Sequence, residues 1–363
     1  MTTLSLLSPS LIAQLSPSLP DDETFMTMAI EEAKQGIYTT RPNPVVGCVI
    51  VKDGEVLGKG FHPKAGLPHA EIFALNNAKE QGFDVVGASA YVTLEPCSHF
   101  GRTPPCANAL INSGVARVVV ACLDPNPKVA GSGVAMLMGA GIAVSVGVCQ
   151  DEAQRLNHGF LKAMAVGMPF VRLKLGISLD GRVAMANGQS KWITGEQARS
   201  DVQRLRAMSG AIVTGSGTIL ADNPSLNVRA NIDGTPPSQI PPPKIVVVDR
   251  SGKLHAKADL TVLQNSDTLI WQGDLNTLLK TLVADYQIYD VLVEAGATLA
   301  GAFLQAGLVD ELIVYQAPCL LGVNSKPMFL GDFDDLKDKL NFELKDTKQI
   351  GQDVRLTLTP IVK

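Results

Sequence analysis

Apolar and polar positions in the first half of the chain alternate between the period of a helix and the period of a strand. "DDETFMTMAIEEAKQG" places apolar residues at helical intervals, opens on an aspartate suited to an N-cap and stops at glycine. "VVGCVIVKDGEVLGKGFH" reads as two strands folded about Asp53-Gly54, a dipeptide that favours a tight hairpin turn. "HAEIFALNNAKEQG" predicts a helix, "ASAYVTLEP" a strand, and "CANALINSG" a further helix with Gly114 past its end. "ARVVVACLDP" is almost continuously apolar, as expected of a strand covered on both faces. A glycine-punctuated helix and the strand "IAVSVGV" complete the pattern, and "DEAQRLNHGFLKAMAVGMP" predicts a connecting helix. The expectation is a three-layer α/β domain over residues 21–166.

A second α/β pattern starts at "FVRLKLGISLDGRVA" and occupies residues 167–363. Its helix "GEQARSDVQRLRAMSG" follows Thr194 with Gln197 three residues on, which predicts a capping box. The strands "AIVTG", "KIVVVD", "YDVLVEAG", "ELIVYQA" and "VRLTLTPIV" follow, and "NIDGTPPSQIPPPK" reads as a surface loop inside this domain. The two halves share no internal repeat.

Composition narrows the function classes. The chain has 363 residues, of which 46% are hydrophobic and 18% charged, enough to bury two cores. A net charge of −4 argues against an obligate nucleic-acid binder, and no apolar run reaches the length of a bilayer span. Residues 1–20 are uncharged, repeat "LSPSL" and lack the basic start of a secretory signal, so they read as a loose extension. Without export the expected setting is the reducing cytoplasm, where disulfides among the six cysteines are disfavoured.

That leaves "LEPCSHFGRTPPC" to be read as inert thiols or as a metal site. His69 and Glu71 form an H-x-E pair at a predicted helix start, Cys97 follows a strand and Cys106 opens a helix. One imidazole and two thiolates leave a tetrahedral zinc one open position, the layout of a catalytic site; a structural zinc module would need a fourth protein ligand. Glu71, close to the ligands without being one, is placed to move protons. His99 is a competing ligand that would close the open position, and is read instead as a neighbour of the substrate. Cys48, Cys122, Cys149 and Cys319 lie in apolar patterns and are expected in the core.

An H-x-E followed by P-C…C is the signature of zinc nucleobase deaminases, although here the second gap is eight residues instead of two. With "RPNPVVGCVIVKDG" before it and "DPNPKVAGSG" after it, residues ~21–165 closely resemble the deaminase domain of the bifunctional riboflavin-biosynthesis deaminase–reductase family. The resemblance implies a cytidine-deaminase-like fold, one Zn2+ per chain, and hydrolytic deamination of a diaminopyrimidinone carrying a ribosylamino 5′-phosphate. It further implies that Asn43 and Asn126 hold the substrate while His62 and Arg102 face its ribose phosphate. Arg102 departs from the lysine often found there. A strand-end surface histidine remains the alternative for His62.

In the second half no G-x-G-x-x-G follows a strand, and the turns "GSGTIL" and "EAGATLAG" are weak signals on their own. Together with "KLGISLDGRVA", "SKWITGEQARSDVQRLRA" and "TGSGTILADNPSLNVR" they resemble the reductase domain of the same family. That resemblance implies a dihydrofolate-reductase-like α/β fold, NADPH as cofactor, and reduction of the ribosyl side chain to the ribityl form. Gly176, Trp192, Thr218, Asp222 and the turn Gly296, Ala297, Thr298, Leu299, Ala300, Gly301 and Ala302 would lie along NADPH. Ser190, Arg206, Leu226, Arg229 and Glu294 would hold the substrate; Trp192 and Leu226 are equally open to a core role. Asp222 is the expected carboxylate near the nicotinamide, with Lys174 as its candidate partner. A homo-oligomer, dimer or tetramer, is expected, with no nucleic-acid or membrane partner. The alternatives are a degenerate second domain beside an active deaminase, or a deaminase of nucleic-acid bases, which would want a basic groove.

Overall fold

The computed structural model describes residues 3–98, 104–126, 129–254 and 259–361, and the chain divides into two compact units, 1–166 and 167–363. Among the described residues no helix is long and apolar enough to cross a membrane.

In the first unit the short helix α1 (Pro9–Ile12) precedes α2 (Asp22–Lys34), the hairpin β1 (Gly47–Lys52) and β2 (Glu55–Phe61), and α3 (Ala70–Glu80). Then come β3 (Ser89–Val92), α4 (Cys106–Asn112), β4 (Arg117–Val120), α5 (Ser132–Gly139), β5 (Ala143–Val146), α6 (Gln150–Leu156) and α7 (His158–Val166). The sheet order is β2-β1-β3-β4-β5, with β1 antiparallel to β2 and β3 and the remaining pairs parallel. Asp53 and Gly54 both have positive φ, 52° and 80°, as the tight hairpin turn requires. Ala70, Ala74, Ala107, Leu110 and Leu137 from α3, α4 and α5 pack on one face of the sheet, and Met26, Ala29 and Ala153 from α2 and α6 on the other. This produces three layers.

Part of the N-terminal segment expected as a loose extension is tied to the sheet edge through Leu7 and Ser16. Leu7 is buried in the core, and the Ser16 N–H donates to the Val144 carbonyl of β5 at 2.7 Å. A strand edge with free acceptors attracts such a segment. Asp22 stands behind it, 1% exposed, accepting from two nitrogens of Arg117 at 2.6 and 2.8 Å and from the Tyr91 hydroxyl at 3.1 Å.

The second unit contains β6 (Phe170–Ser178), β7 (Arg182–Ala184), α8 (Glu196–Met208), β8 (Ala211–Gly215), α9 (Ser216–Asp222), β9 (Lys244–Val248) and β10 (Leu269–Trp271). It continues through α10 (Leu275–Tyr286), β11 (Asp290–Glu294), α11 (Ala297–Gln305), β12 (Glu311–Ala317), β13 (Lys326–Pro327), β14 (Phe342–Ile350) and β15 (Asp353–Pro360). The eight-stranded sheet runs β10-β9-β8-β11-β6-β12-β15-β14, parallel as far as β12 and antiparallel beyond. Helices α10 and α11 cover one face, α8 and α9 the other.

Three local expectations change. The capping box at Thr194 does not form: the N-cap of α8 is Gly195, and its N–H donates at 2.6 Å to Asp353 at the start of β15. A carboxylate brought in by the tertiary fold replaces the local side-chain cap. The turn "GSGTIL" is the first part of α9, which follows β8 directly. Cys48 and Cys122 are buried as expected, whereas Cys149 caps a helix with a left-handed backbone and Cys319 follows β12, and both are partly exposed.

Candidate active sites in the two units

The first site is assembled at one end of the β1–β3–β4 sheet. Gly58 and Gly60 of β2 let α3 approach closely: a Cβ on Gly60 would fall 2.6 Å from the Ala70 carbonyl oxygen. That contact fixes the start of α3, with His69 as its N-cap and Glu71 in its first turn. Cys97 leaves the segment after β3, and Cys106 opens α4 with its N–H donating to Cys97 Sγ at 3.3 Å. His69 Nδ1 lies 3.7 Å from Cys97 Sγ and 3.3 Å from Cys106 Sγ, and all three ligand atoms fall within 4.8 Å of one another.

Two sulfurs and one imidazole nitrogen at this spacing fit zinc, and they are three, which leaves a tetrahedral ion one position for solvent or substrate. Hydrogen bonding with Cys106, and then with His69, pulls the Cys97 thiol down to about 4 despite burial. The same shared proton, together with burial, pushes Cys106 up. A divalent cation would draw the remaining proton from Cys106, since the thiolate is the ligating form. Glu71 is buried, and burial pushes its carboxyl up to about 7, where it can both take and give a proton near neutrality.

His62 and Asn43 lie beside this centre, while Asn126 sits in the segment after β4, its N–H donating to Asp124 Oδ1 at 2.8 Å. His62 is 2% exposed, and its ring meets that of His69 edge-on with centroids 5.2 Å apart, so the surface-histidine reading is excluded. Burial lowers its pKa, leaving the ring neutral. Nδ1 donates to the Pro68 carbonyl at 2.9 Å, which leaves Nε2 to accept from Asn43 Nδ2 at 3.0 Å. Both ring nitrogens are thus engaged. The neutral ring of His62 holds Asn43 and the Pro68 carbonyl. Arg102 and His99 lie outside the described residues.

Sequence reading passed over Glu95. It is 4% exposed and accepts from the backbone N–H groups of Asp124, Gly131, Gly133 and Val134 at 3.3, 3.0, 2.9 and 3.3 Å. Those donors belong to the segment that carries Asn126. Its position directly before Pro-Cys was the available signal, but nothing local shows what a carboxylate there would bind.

The second site lies at the carboxyl ends of the parallel strands, where α/β sheets bind ligands. Lys174 and Glu294 are register partners on β6 and β11. Arg206 of α8 grips Glu294 through two nitrogens at 2.6 and 3.0 Å and donates to the Asn227 carbonyl at 3.2 Å. Burial pulls Lys174 down, helped by Arg206 and opposed by Glu294. Glu294 is held low: burial pushes it up, but the charge and hydrogen bonds of Arg206 together with Lys174 and Arg229 outweigh it. Lys174 interacts with this group among the described contacts; Asp222 instead accepts from the Ser190 hydroxyl at 3.4 Å, while its carbonyl accepts from Lys191 Nζ at 2.8 Å.

Because β8 and β11 are adjacent, their following turns meet, and the Gly296 N–H donates to Thr218 Oγ1 at 3.3 Å. Gly217 has open space before it, Gly296 and Thr298 are exposed, and Gly296 caps the nine-residue α11, so backbone donors and small residues here fit a dinucleotide phosphate. Gly176, two residues along the same strand face, lies beside Lys174 and Thr194. Not every side chain of the turn is open to solvent. Leu299 and Ala300 belong to the core, Ala302 is partly buried, and a Cβ on Gly301 would fall 1.8 Å from the Leu330 carbonyl oxygen. Leu226, with φ 50°, is likewise a core residue, buried with Ile212 and Val247. Trp192 is 65% exposed and carries the Arg199 guanidinium over its ring at 4.5 Å, which removes the core reading for it. Arg229 is exposed, anchored by its N–H to Gln203 Oε1 at 3.0 Å.

Comparison with known proteins covers both units. The cytidine and deoxycytidylate deaminase zinc-binding region matches residues 19–122, and the RibD C-terminal domain matches residues 169–356. Riboflavin biosynthesis protein RibD of Escherichia coli is 48% identical over 365 residues, covering 93% of this chain and 99% of the relative. The Haemophilus influenzae protein of that name is 47% identical over 93% of this chain and 97% of its own length. Among solved structures, Acinetobacter baumannii RibD superposes with a TM-score of 0.90 at 53% identity, over 95% of this chain and all of that one. The deaminase/reductase of Thermotoga maritima superposes with a TM-score of 0.84 at 33% identity, over 94% of this chain and 99% of its own.

Proposed function

Since the chain belongs to the RibD family and is a bifunctional riboflavin-biosynthesis enzyme, a zinc-dependent deaminase and an NADPH-dependent reductase, we propose how its residues divide the work. Residues 21–166 carry the deamination and 167–363 the reduction. The substrate is the diaminopyrimidinone ribosylamino 5′-phosphate, a reading supported by the Thermotoga relative, described as a diaminohydroxyphosphoribosylaminopyrimidine deaminase and phosphoribosylaminouracil reductase. The observation that carries the proposal is the convergence of His69, Cys97 and Cys106 beside the buried Glu71.

Zinc, when bound by those three side chains, supplies a Lewis acid and water activated near neutral pH. Glu71 accepts the proton of the attacking water and returns it to the amino group, so that the ring C–N bond breaks and ammonia departs. Asn43, held by His62, and Asn126 hold the pyrimidine edge, and Arg102 takes the phosphate. In the second unit NADPH supplies a hydride. Lys174 would give the substrate's imine nitrogen the proton that matches the hydride NADPH would supply when bound, and Asp222 would line the nicotinamide side of the site. The Glu294–Arg206 pair frames the substrate, with Arg229 toward its phosphate. Thr218 and the amides at Gly296 line the cofactor, with Trp192 at its edge, and Ser190, bonded to Asp222, holds the substrate.

A homo-oligomer, dimer or tetramer, is consistent with β14, an edge strand with seven of its nine residues exposed. A cytoplasmic setting suits six free cysteines. The test is a coupled assay on the diaminopyrimidinone phosphate. Ammonia should appear first, and NADPH should be consumed only once deaminated product exists. NADPH consumption without ammonia, or deamination of a polynucleotide, sinks the reading.

A further inference from the structure

Glu95 is a buried carboxylate that no step above uses, and its surroundings single it out. Its two oxygens accept four backbone N–H groups, from Asp124 and Gly131 on one oxygen and from Gly133 and Val134 on the other. The donors bracket one stretch of chain: the end of the segment after β4, the turn before α5, and the first turn of α5.

The stretch is wound around this carboxylate. Gly131 adopts φ 83°, which turns its N–H inward, and a Cβ on Gly133 would fall 2.1 Å from the Pro96 carbonyl oxygen. Asn126 lies within it: its N–H donates to Asp124 Oδ1 at 2.8 Å, and its carbonyl accepts from Val129 and Ala130 at 2.8 and 2.9 Å. Two residues after Glu95 comes the zinc ligand Cys97, and the next residue, Ser98, shares a 2.7 Å hydroxyl contact with Ser132. The chain that delivers a metal ligand thus also grips the segment carrying a pyrimidine-binding side chain, at both of its ends.

We propose that Glu95 is a positioning residue for the deaminase reaction, fixing the Asp124–Val134 segment so that Asn126 meets the pyrimidine at a set distance from the zinc ligands. This deepens the reading of Asn126 as a substrate-holding residue and rests on it. A carboxylate is needed because four donors converge and only an anion accepts from all of them; an amide in the same place would turn two donors of its own toward them. The residue touches neither substrate nor metal, so its loss should appear in substrate affinity and not in chemistry.

The test is Glu95→Gln in the full-length holoenzyme, assayed with the diaminopyrimidinone phosphate. KM for deamination should rise about tenfold with kcat and zinc content nearly unchanged, as expected for losing charge-assisted bonds that set a binding side chain. NADPH-dependent reduction of the deaminated product, read on the same sample, should keep its wild-type rate. Amide hydrogen exchange at Gly131, Gly133 and Val134 should accelerate. An unchanged KM accompanied only by a lower Tm would make Glu95 a purely structural residue and overturn the proposal. Should that variant not accumulate, Ser132→Ala, which cuts the link to Ser98, must raise the same KM; an unchanged value there counts equally against the proposal. Asn126→Ala separates the two ideas: if it leaves KM unchanged the role of Asn126 fails, and if it raises KM while Glu95→Gln does not, only the role of Glu95 fails.

Discussion

Asn43 Nδ2 stands 3.0 Å from His62 Nε2, and the other nitrogen of that imidazole is tied to the Pro68 carbonyl at 2.9 Å, so the backbone of one loop sets the amide of another through a neutral ring. The two residues are 19 positions apart, and the bond forms because β2 returns His62 to the start of β1. His62→Ala should release Asn43 and raise the deaminase KM about tenfold with zinc still near one per chain, the size expected for one oriented hydrogen bond. Steady-state kinetics with metal analysis checks this. A variant that instead loses zinc would place His62 in support of His69.

Glu71→Gln keeps the shape of the site and removes a buried carboxyl poised at about 7. Ammonia release should fall by about a thousandfold, the scale of a lost general acid and base, with substrate affinity retained. Isothermal titration and a stopped ammonia assay separate the two quantities.

Metal loading should be visible in protons. The Cys106 thiol is pushed up by its hydrogen bond with Cys97 and by burial, so the metal-free site is protonated there at neutral pH. Adding zinc should release about one proton or more per ion. Calorimetry in buffers of different ionisation enthalpy measures the count; no release would mean that Cys106 does not ligate.

The Asp22–Arg117 pair gives a stability prediction with a sign. Burial pushes the Asp22 carboxyl up, but hydrogen bonds from Arg117 and the Leu19 N–H outweigh it and leave the pKa lowered. A carboxyl lowered on folding stabilises above its unfolded value and loses that contribution as pH falls through its folded value. Asp22→Asn should therefore cost about 3 kcal/mol at neutral pH, because Arg117 is left buried without its partner. The gap between wild-type and variant Tm should narrow as pH drops below about 4. Thermal denaturation across pH 3–7 follows it.

Arg206→Lys should keep the charge facing Glu294 but lose the two-nitrogen grip. The reductase KM is expected to rise about thirtyfold while the deaminase step in the same chain is unchanged, measured by NADPH oxidation on pre-deaminated substrate. If both activities fall together, the pair supports folding and not substrate.

Much of this molecule was legible along the chain. The hairpin at Asp53-Gly54, the helices starting at His69 and Cys106, and the zinc ligands depend on periodicity, turn chemistry and ligand type, all of which are local properties of residue order. Strands read from continuous apolar runs, such as β4, were visible because both faces are covered; β14 was not, because its exposed positions carry no burial pattern. What remained hidden depends on distance in space between residues remote in sequence. Only the packed sheets put Asp353 at the N-terminus of α8, Glu95 under the amides of Gly131 and Gly133, and Lys174 beside Glu294 and Arg206 instead of Asp222. Residue order fixed which side chains could ligate, cap or turn. Tertiary burial decided which of them are charged, which are already partnered, and which face the ligand, because desolvation and hydrogen-bond satisfaction are settled only when distant elements close around a group.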